Sequence, residues 1–197
     1  MTLVLGLTGS IATGKSAIAE IFREHKVPVL DADVLTHELQ KKGAVGWKAL
    51  IDEFGEGILT LDGELDRLKL GKMTFFNELQ MERLRKVMDP LIYNKIKGEI
   101  AEFRKSAISL AVVDIPLLFE KGYQKLVDQV MVSYASMEIE IDRLMNRDKL
   151  SEEEAKVRMN WQDSIETKRK LADVVINNSG SILETREQVK QWLSSVS

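Results

Sequence analysis

Residues 9–16 read GSIATGKS, two glycines separated by four residues and followed at once by a lysine and a hydroxyl. Gly9, Gly14, Lys15 and Ser16 satisfy G-x-x-x-x-G-K-[ST]. The flanks suit the motif, since VLGLT over 4–8 is apolar enough for a buried strand and AIAEIFREH over 17–25 has helical spacing. Without side chains at the glycines, the backbone can wrap a polyphosphate and aim its N–H groups at the oxygens. The positive end of the following helix adds to the attraction. The cradle runs through Gly9, Ser10, Ile11, Ala12, Thr13, Gly14, Lys15, Ser16 and Ala17. Lys15 would reach the β- and γ-phosphates of a nucleoside triphosphate, and the Ser16 hydroxyl would face Mg2+, a hard ion that takes oxygen ligands. The plainer alternative is a glycine-bearing turn with a surface lysine. At average composition, though, a chain of 197 residues matches the motif by accident on the order of 1% of the time.

Apolar runs like the one before the loop (Thr2–Leu7) recur at Val27–Leu30, Leu110–Ile115, Gln129–Tyr134 and Val174–Ile176, with helical periodicity between them. Strands apolar on both faces and alternating with helices make a parallel sheet covered on both sides. The class is therefore α/β, a P-loop NTPase core with a five-stranded parallel sheet. Pro28 cannot donate to a ladder, which suits an edge strand or a strand's first residue. Ser151 with Glu154 spells a capping box, and Gly180 precedes a final helix over Ser181–Leu193.

Almost eighty residues separate the second run from the third, far more than one crossover helix requires. Within them, 60–105 (including LDRLKL and FFNELQMERLRKVMDPLIYNKIKGEIAEFRK) is charged with helical spacing and reads as a helical insertion. A second insertion between the fourth and fifth runs, 137–173, alternates charges at helical spacing, and the plain reading of both insertions is a solvated helix face.

A net charge of -3 argues against a general nucleic-acid surface, so small molecules are the expected partners. With no cysteine and two histidines, a thiolate or histidine-rich metal centre is not expected, and a reducing cytoplasm is the natural compartment. The N-terminal apolar stretch is short, lacks a basic lead and runs into the glycine loop, so it reads as a strand and not a signal peptide. No apolar run approaches the roughly 20 residues that span a bilayer. No seam of apolar surface is visible in the pattern, and the expectation is a monomer or weak oligomer.

LDADVLTHEL places Asp31 and Asp33 at the carboxyl end of the second strand, which neighbours the loop in most doubly wound arrangements; ligands sit at that edge of such sheets. Two carboxylates there suit one group that accepts a proton from an attacking hydroxyl and one that holds metal or structure. They suit equally an N-cap for the helix carrying Val34–Gln40. The residues alone leave both readings open.

The chain resembles the dephospho-CoA kinase family over nearly its whole length. The shared segments are GLTGSIATGKS, VLDADVLTHEL, DGELDRLKL, VVDIPLLFEKG, DRLMNRDKLSEEEAKVRMNWQ and KRKLADVVINNSG, in the family's order. The loop is common to many kinases, whereas D-A-D, P-L-L-F-E, R-L-x-x-R-D and A-D-x-V-I-x-N together are specific. The resemblance implies phosphorylation of the ribose 3′-hydroxyl of dephospho-CoA by ATP with Mg2+, and Asp33 as general base. It also implies a lid over 137–161, leaving 1–59, 106–136 and 162–197 for the core, with Arg143 and Arg147 as lid arginines, Arg147 on phosphate or adenine, and Asn178 near the adenine. By the same resemblance 60–105 becomes the CoA-substrate domain with Arg67 as an acceptor contact, Asp114 a metal-side carboxylate, and Leu117 and Phe119 flanks of the acceptor. Leu117 and Phe119 could equally be core. Arg143 and Arg147, four apart on a helix, face one side and could reach a phosphate together, the plainer alternative being pairing with acids such as Glu140.

The chain departs from the family's pattern in places. Ser10 and Ala12 stand where glycines are usual, Asp89-Pro90 replaces a His-Pro pair, and Glu140 replaces a glutamine. The nearest rival is another small-acceptor kinase, such as a nucleoside monophosphate kinase. A GTP-dependent switch is disfavoured: Asp52–Gly55 matches D-x-x-G, but no N-K-x-D follows.

Overall fold

In the computed structural model, which describes residues 2–75 and 77–196, the five apolar runs become β1 (Leu3–Gly9), β2 (Val29–Asp31), β3 (Leu110–Asp114), β4 (Gln129–Tyr134) and β5 (Val174–Asn177). Phe76, inside the stretch expected to be helical, lies outside the described residues, as do Met1 and Ser197. The strands form one parallel sheet in the order β2-β3-β1-β4-β5. β1 and β3 are buried almost throughout, as strands covered on both faces must be.

One expectation is corrected by this order. β2 does not neighbour the strand that carries the loop, because β3 lies between them, with Leu7 opposite Asp114 and Asp114 opposite Asp31. Pro28 immediately precedes β2, an edge strand, and still serves the sheet as an acceptor, taking the Val112 amide at 2.9 Å.

The helices among the described residues are α1 (Lys15–Glu24), α2 (Ala32–Leu39), α3 (Val45–Phe54), α4 (Arg67–Phe75), α5 (Glu78–Lys105), α6 (Met137–Asp148), α7 (Glu152–Met159), α8 (Ile165–Leu171) and α9 (Ile182–Val196). The capping box at Ser151 is present, its hydroxyl accepting the Glu154 amide while Glu154 reaches back to the Ser151 amide at 2.8 Å. Ser181 and Glu184 make the same exchange at the start of α9. No helix among the described residues is long and apolar enough to cross a membrane.

The chain divides into two compact units, Met1–Asp31 with Ile100–Ser197, and Ala32–Glu99. The first is built on the sheet. Its core joins Leu5 and Leu7 of β1 with Ile18, Ile21 and Phe22 of α1, Val112, Met131, Ile176 and Val189. The Trp192 ring meets Phe22 edge-on at 5.9 Å. Burying a side chain such as Phe22 stabilises by roughly 1.5–3 kcal/mol, which is how the apolar stripe of α1 fixes the end of the phosphate loop against the sheet.

The second unit has its own core of Leu39, Leu50, Ile58, Leu65, Leu70 and Met88. Apolar faces of α2 and α3 join those of α4 and α5 in this cluster. The compact unit therefore starts at Ala32, well ahead of residue 60. Trp47 secures it further by donating its ring N–H to Gly63 O at 3.1 Å.

Candidate active site

β1 ends at Gly9 and α1 begins at Lys15, so the loop is a strand-to-helix turn of five residues, Ser10–Gly14. Both glycines are required by local geometry. A Cβ on Gly9 would lie 2.5 Å from Thr13 Oγ1 and 2.9 Å from Ser133 O. Gly14 has φ 83°, and the Asn178 amide occupies the space its Cβ would need. Ala12 also has positive φ, 64°, without a glycine's freedom.

A loop that turns its N–H groups toward a ligand turns carbonyls inward, and these need donors. Thr13 O receives three: Ser133 Oγ at 3.0 Å, Asn178 Nδ2 at 2.7 Å and Arg143 Nη1 at 3.5 Å. Asn178 is held in turn. Its Oδ1 accepts from Thr185 Oγ1 at 2.6 Å, its carbonyl accepts from Arg143 Nη2 at 2.9 Å, and its amide donates to Tyr134 O at 2.7 Å. The residue that the resemblance put near adenine is thus nearly buried, 5% exposed, with its side chain bonded to Thr13 O and Thr185.

Lys15 Nζ is paired with Asp114 Oδ1. The carboxylate is nearly buried, 5% exposed against 16% for the lysine, and a buried charge persists only with a partner. β3 puts Asp114 there because its last residue lies beside β1. Ser16, the second residue of α1, is exposed, and Ala17 closes the first turn with its amide on Gly14 O at 3.0 Å. Among the described residues no cluster of three His, Cys, Asp or Glu could cage a metal. The Ser16 hydroxyl and the Asp114 carboxylate are nonetheless hard oxygen donors of the kind Mg2+ accepts while keeping several waters.

Arg143 and Arg147 share α6 and part ways. Arg143 turns to the carbonyls of Thr13 and Asn178, whereas Arg147, 57% exposed, grips Asp148 through Nε at 2.8 Å and Nη2 at 3.2 Å. Asp148 also accepts from Arg158 of α7 at 2.5 Å, which ties the two helices together. Glu140 is not the surface acid its charge suggested. It is buried, its Oε1 lacks a partner among the described residues, and burial pushes its carboxyl up to about 8 even with the Lys168 cation pulling the other way.

After β3, Leu118 is fully buried while Leu117 and Phe119 are half-buried. In the helical unit, Asp33 stands exposed in the first turn of α2, where the helix dipole favours a carboxylate. Arg67 opens α4 and donates to His37 O at 3.4 Å. Sequence reasoning did not single out Ser133, Thr185 or the wholly buried Lys168. A lone hydroxyl gives no signal, and a lysine in a charged run reads as surface.

The family model for dephospho-CoA kinase matches residues 3–184. A dephospho-CoA kinase of Bacillus cereus is 42% identical over 196 residues, covering 98% of both chains. One from Enterococcus faecalis is 42% identical over 193 residues, covering 98% of this chain and 96% of its own. Among solved structures, the dephospho-CoA kinase from Campylobacter jejuni superposes with a TM-score of 0.78 at 32% identity, covering 100% of this chain and 98% of its own.

Proposed function

Because this chain belongs to the dephospho-CoA kinase family, enzymes that phosphorylate dephospho-CoA, we propose that it transfers the γ-phosphoryl group of ATP to the ribose 3′-hydroxyl, giving CoA and ADP. The observation that carries this reading is the phosphate loop, with Lys15 standing at its helical end and Asp114 beside it. Phosphoryl transfer leaves the protein little covalent work, so rate comes from alignment and from cations near the equatorial oxygens.

In this reading the amides of 10–17 and the Lys15 ammonium hold the β- and γ-phosphates, and Arg147 adds charge from the 137–161 lid. Arg143 supports the loop from behind. Asp33 accepts the proton of the ribose hydroxyl as its oxygen forms a bond to the γ-phosphorus, while the bond to the β,γ-bridging oxygen breaks and ADP leaves. Asp33 lies two residues beyond Asp31, the last residue of β2, and its side chain is exposed. Ser16 and Asp114 would hold Mg2+, which when bound spreads positive charge over the phosphate oxygens. Asn178 acts on the nucleotide through Thr13. The helical unit, with Arg67 and residues 60–105, takes the CoA moiety; Leu117 and Phe119, half-buried after β3, offer apolar surface toward the acceptor.

An ADP-release assay tests this with dephospho-CoA, AMP, dTMP and shikimate as acceptors. Turnover is expected with dephospho-CoA. Equal or faster turnover with AMP, dTMP or shikimate overturns the assignment.

A further inference from the structure

Lys168 lies in α8 within the run TKRK, a pattern that reads as a solvated helix face, yet its side chain is 0% exposed. A buried ammonium survives only where acceptors surround it. Lys168 Nζ reaches Pro116 O at 3.0 Å, Glu120 Oε1 at 2.9 Å and, at a longer 3.4 Å, Gly9 O. Pro116 O also accepts from Thr8 Oγ1 at 3.1 Å. Glu120 Oε1 takes the Asp163 amide at 3.1 Å, and Asp163 O takes the Ser10 hydroxyl at 3.2 Å.

These bonds close a circuit through three segments distant in sequence: Thr8–Ser10 at the entrance of the phosphate loop, Pro116–Glu120 after β3, and Asp163–Lys168. The Gly9 carbonyl and the Ser10 N–H belong to one planar peptide unit, so fixing the oxygen fixes the direction of that donor. The far end of the loop is fixed through Thr13 O; Lys168 does the equivalent at the near end.

We infer that Lys168 is a positioning residue for nucleotide binding: it holds the first peptide of the phosphate loop and, through Glu120 and Asp163, ties that peptide to the chain leaving the 137–161 segment. The inference rests on the nucleotide half of the proposed function. Lys168 itself touches no phosphate in this scheme; it orients groups that do, in advance, which removes ordering cost from binding.

The test is calorimetric titration of the full chain with a non-hydrolysable ATP analogue, alongside steady-state kinetics. Lys168→Met is expected to raise the analogue's Kd by about tenfold or more, the worth of one hydrogen bond to a charged group, while the KM for dephospho-CoA stays within about twofold. Val189→Ala, a core change in the same unit, serves as the control for lost stability and should leave the Kd unchanged. An unaltered Kd in Lys168→Met, or an equal rise in Val189→Ala, overturns the inference. Should Lys168→Met not fold, Glu120→Gln decides. It keeps an acceptor for the Asp163 amide, removes the charge facing Lys168 and is expected to weaken the analogue by about threefold, a fraction of a charge-assisted bond. No weakening in that variant overturns the inference too. The titration needs no acceptor, so a parent chain that ignores dephospho-CoA would sink the substrate assignment and leave this result standing.

Discussion

In the sheet-bearing unit, Thr13 O takes three side-chain donors, Asn178 is bonded through both ends of its amide, and Lys168 is wholly enclosed. In the Ala32–Glu99 unit the two residues given functional roles, Asp33 and Arg67, stand at helix N-termini on the surface. Phosphate recognition by main-chain amides demands a fixed backbone, and a fixed backbone demands buried partners for its carbonyls. A proton acceptor needs only access to the hydroxyl. Changes to the loop's buried partners in the first unit should thus cost stability and nucleotide affinity together, and a change at Asp33 in the second should cost mainly turnover.

The largest effect expected from this contrast is that of Asp33→Asn. Removing a general base lowers kcat by about 10^2 to 10^4-fold, while ATP-analogue affinity stays as in the parent and unfolding free energy falls by no more than about 1 kcal/mol, the worth of a carboxylate in a helix's first turn. A larger stability loss, or near-normal turnover, would break the contrast at its acceptor end. Asn178→Ala should do the reverse. With one donor to Thr13 O gone and Thr185 Oγ1 left with only its longer bond to Ser181 O at 3.3 Å, unfolding free energy falls by about 1–3 kcal/mol. ATP-analogue affinity falls with it, as calorimetry would register.

Glu140→Gln sharpens the comparison through pH. In the unfolded chain this carboxyl ionises near its ordinary value of 4.5, whereas in the fold it keeps its proton to about 8. The fold therefore binds the extra proton between those values, and stability falls as pH rises through the window. The amide carries no such proton, so urea titrations should show a flatter pH profile and a gain of about 1–3 kcal/mol at pH 8. An unchanged profile would mean that the carboxyl titrates normally. The smallest effect is that of Ala12→Gly, which relieves a left-handed alanine against a more flexible unfolded chain. A net gain of about 0.5–1 kcal/mol in unfolding free energy is expected, and a loss would show that the loop holds Ala12 without strain.

Much of the first unit could be read in the sequence because its signals are local. Apolar runs gave the strands, Gly9 and Gly14 gave the loop, and Ser151 with Glu154 gave a cap. The strand order could not be read, since which runs become neighbours depends on packing between segments far apart in sequence, as with Leu5 of β1 and Gln129 of β4. That is why Asp114 of β3, and not a residue of β2, lies beside the loop strand. Burial of charge was equally hidden. Lys168 and Glu140 sit in charged stretches whose spacing suggests a wet face, and only the folded chain shows α8 and α6 turning those two side chains inward. Arg143 and Arg147 obeyed the helical spacing and still diverged, because the open carbonyls of Thr13 and Asn178 capture one and Asp148 captures the other.

The ion pair between Lys15 and Asp114 has a bearing on selectivity. An anion approaching this ammonium meets a charge already neutralised by an internal counter-ion, and must either displace that carboxylate or share the cation with it. A lone monovalent ion has little to offer in such an exchange. A polyphosphate brings several charges and can engage the loop amides at the same moment, so in the proposed scheme the pair would act as a filter that favours extended phosphate chains over small anions.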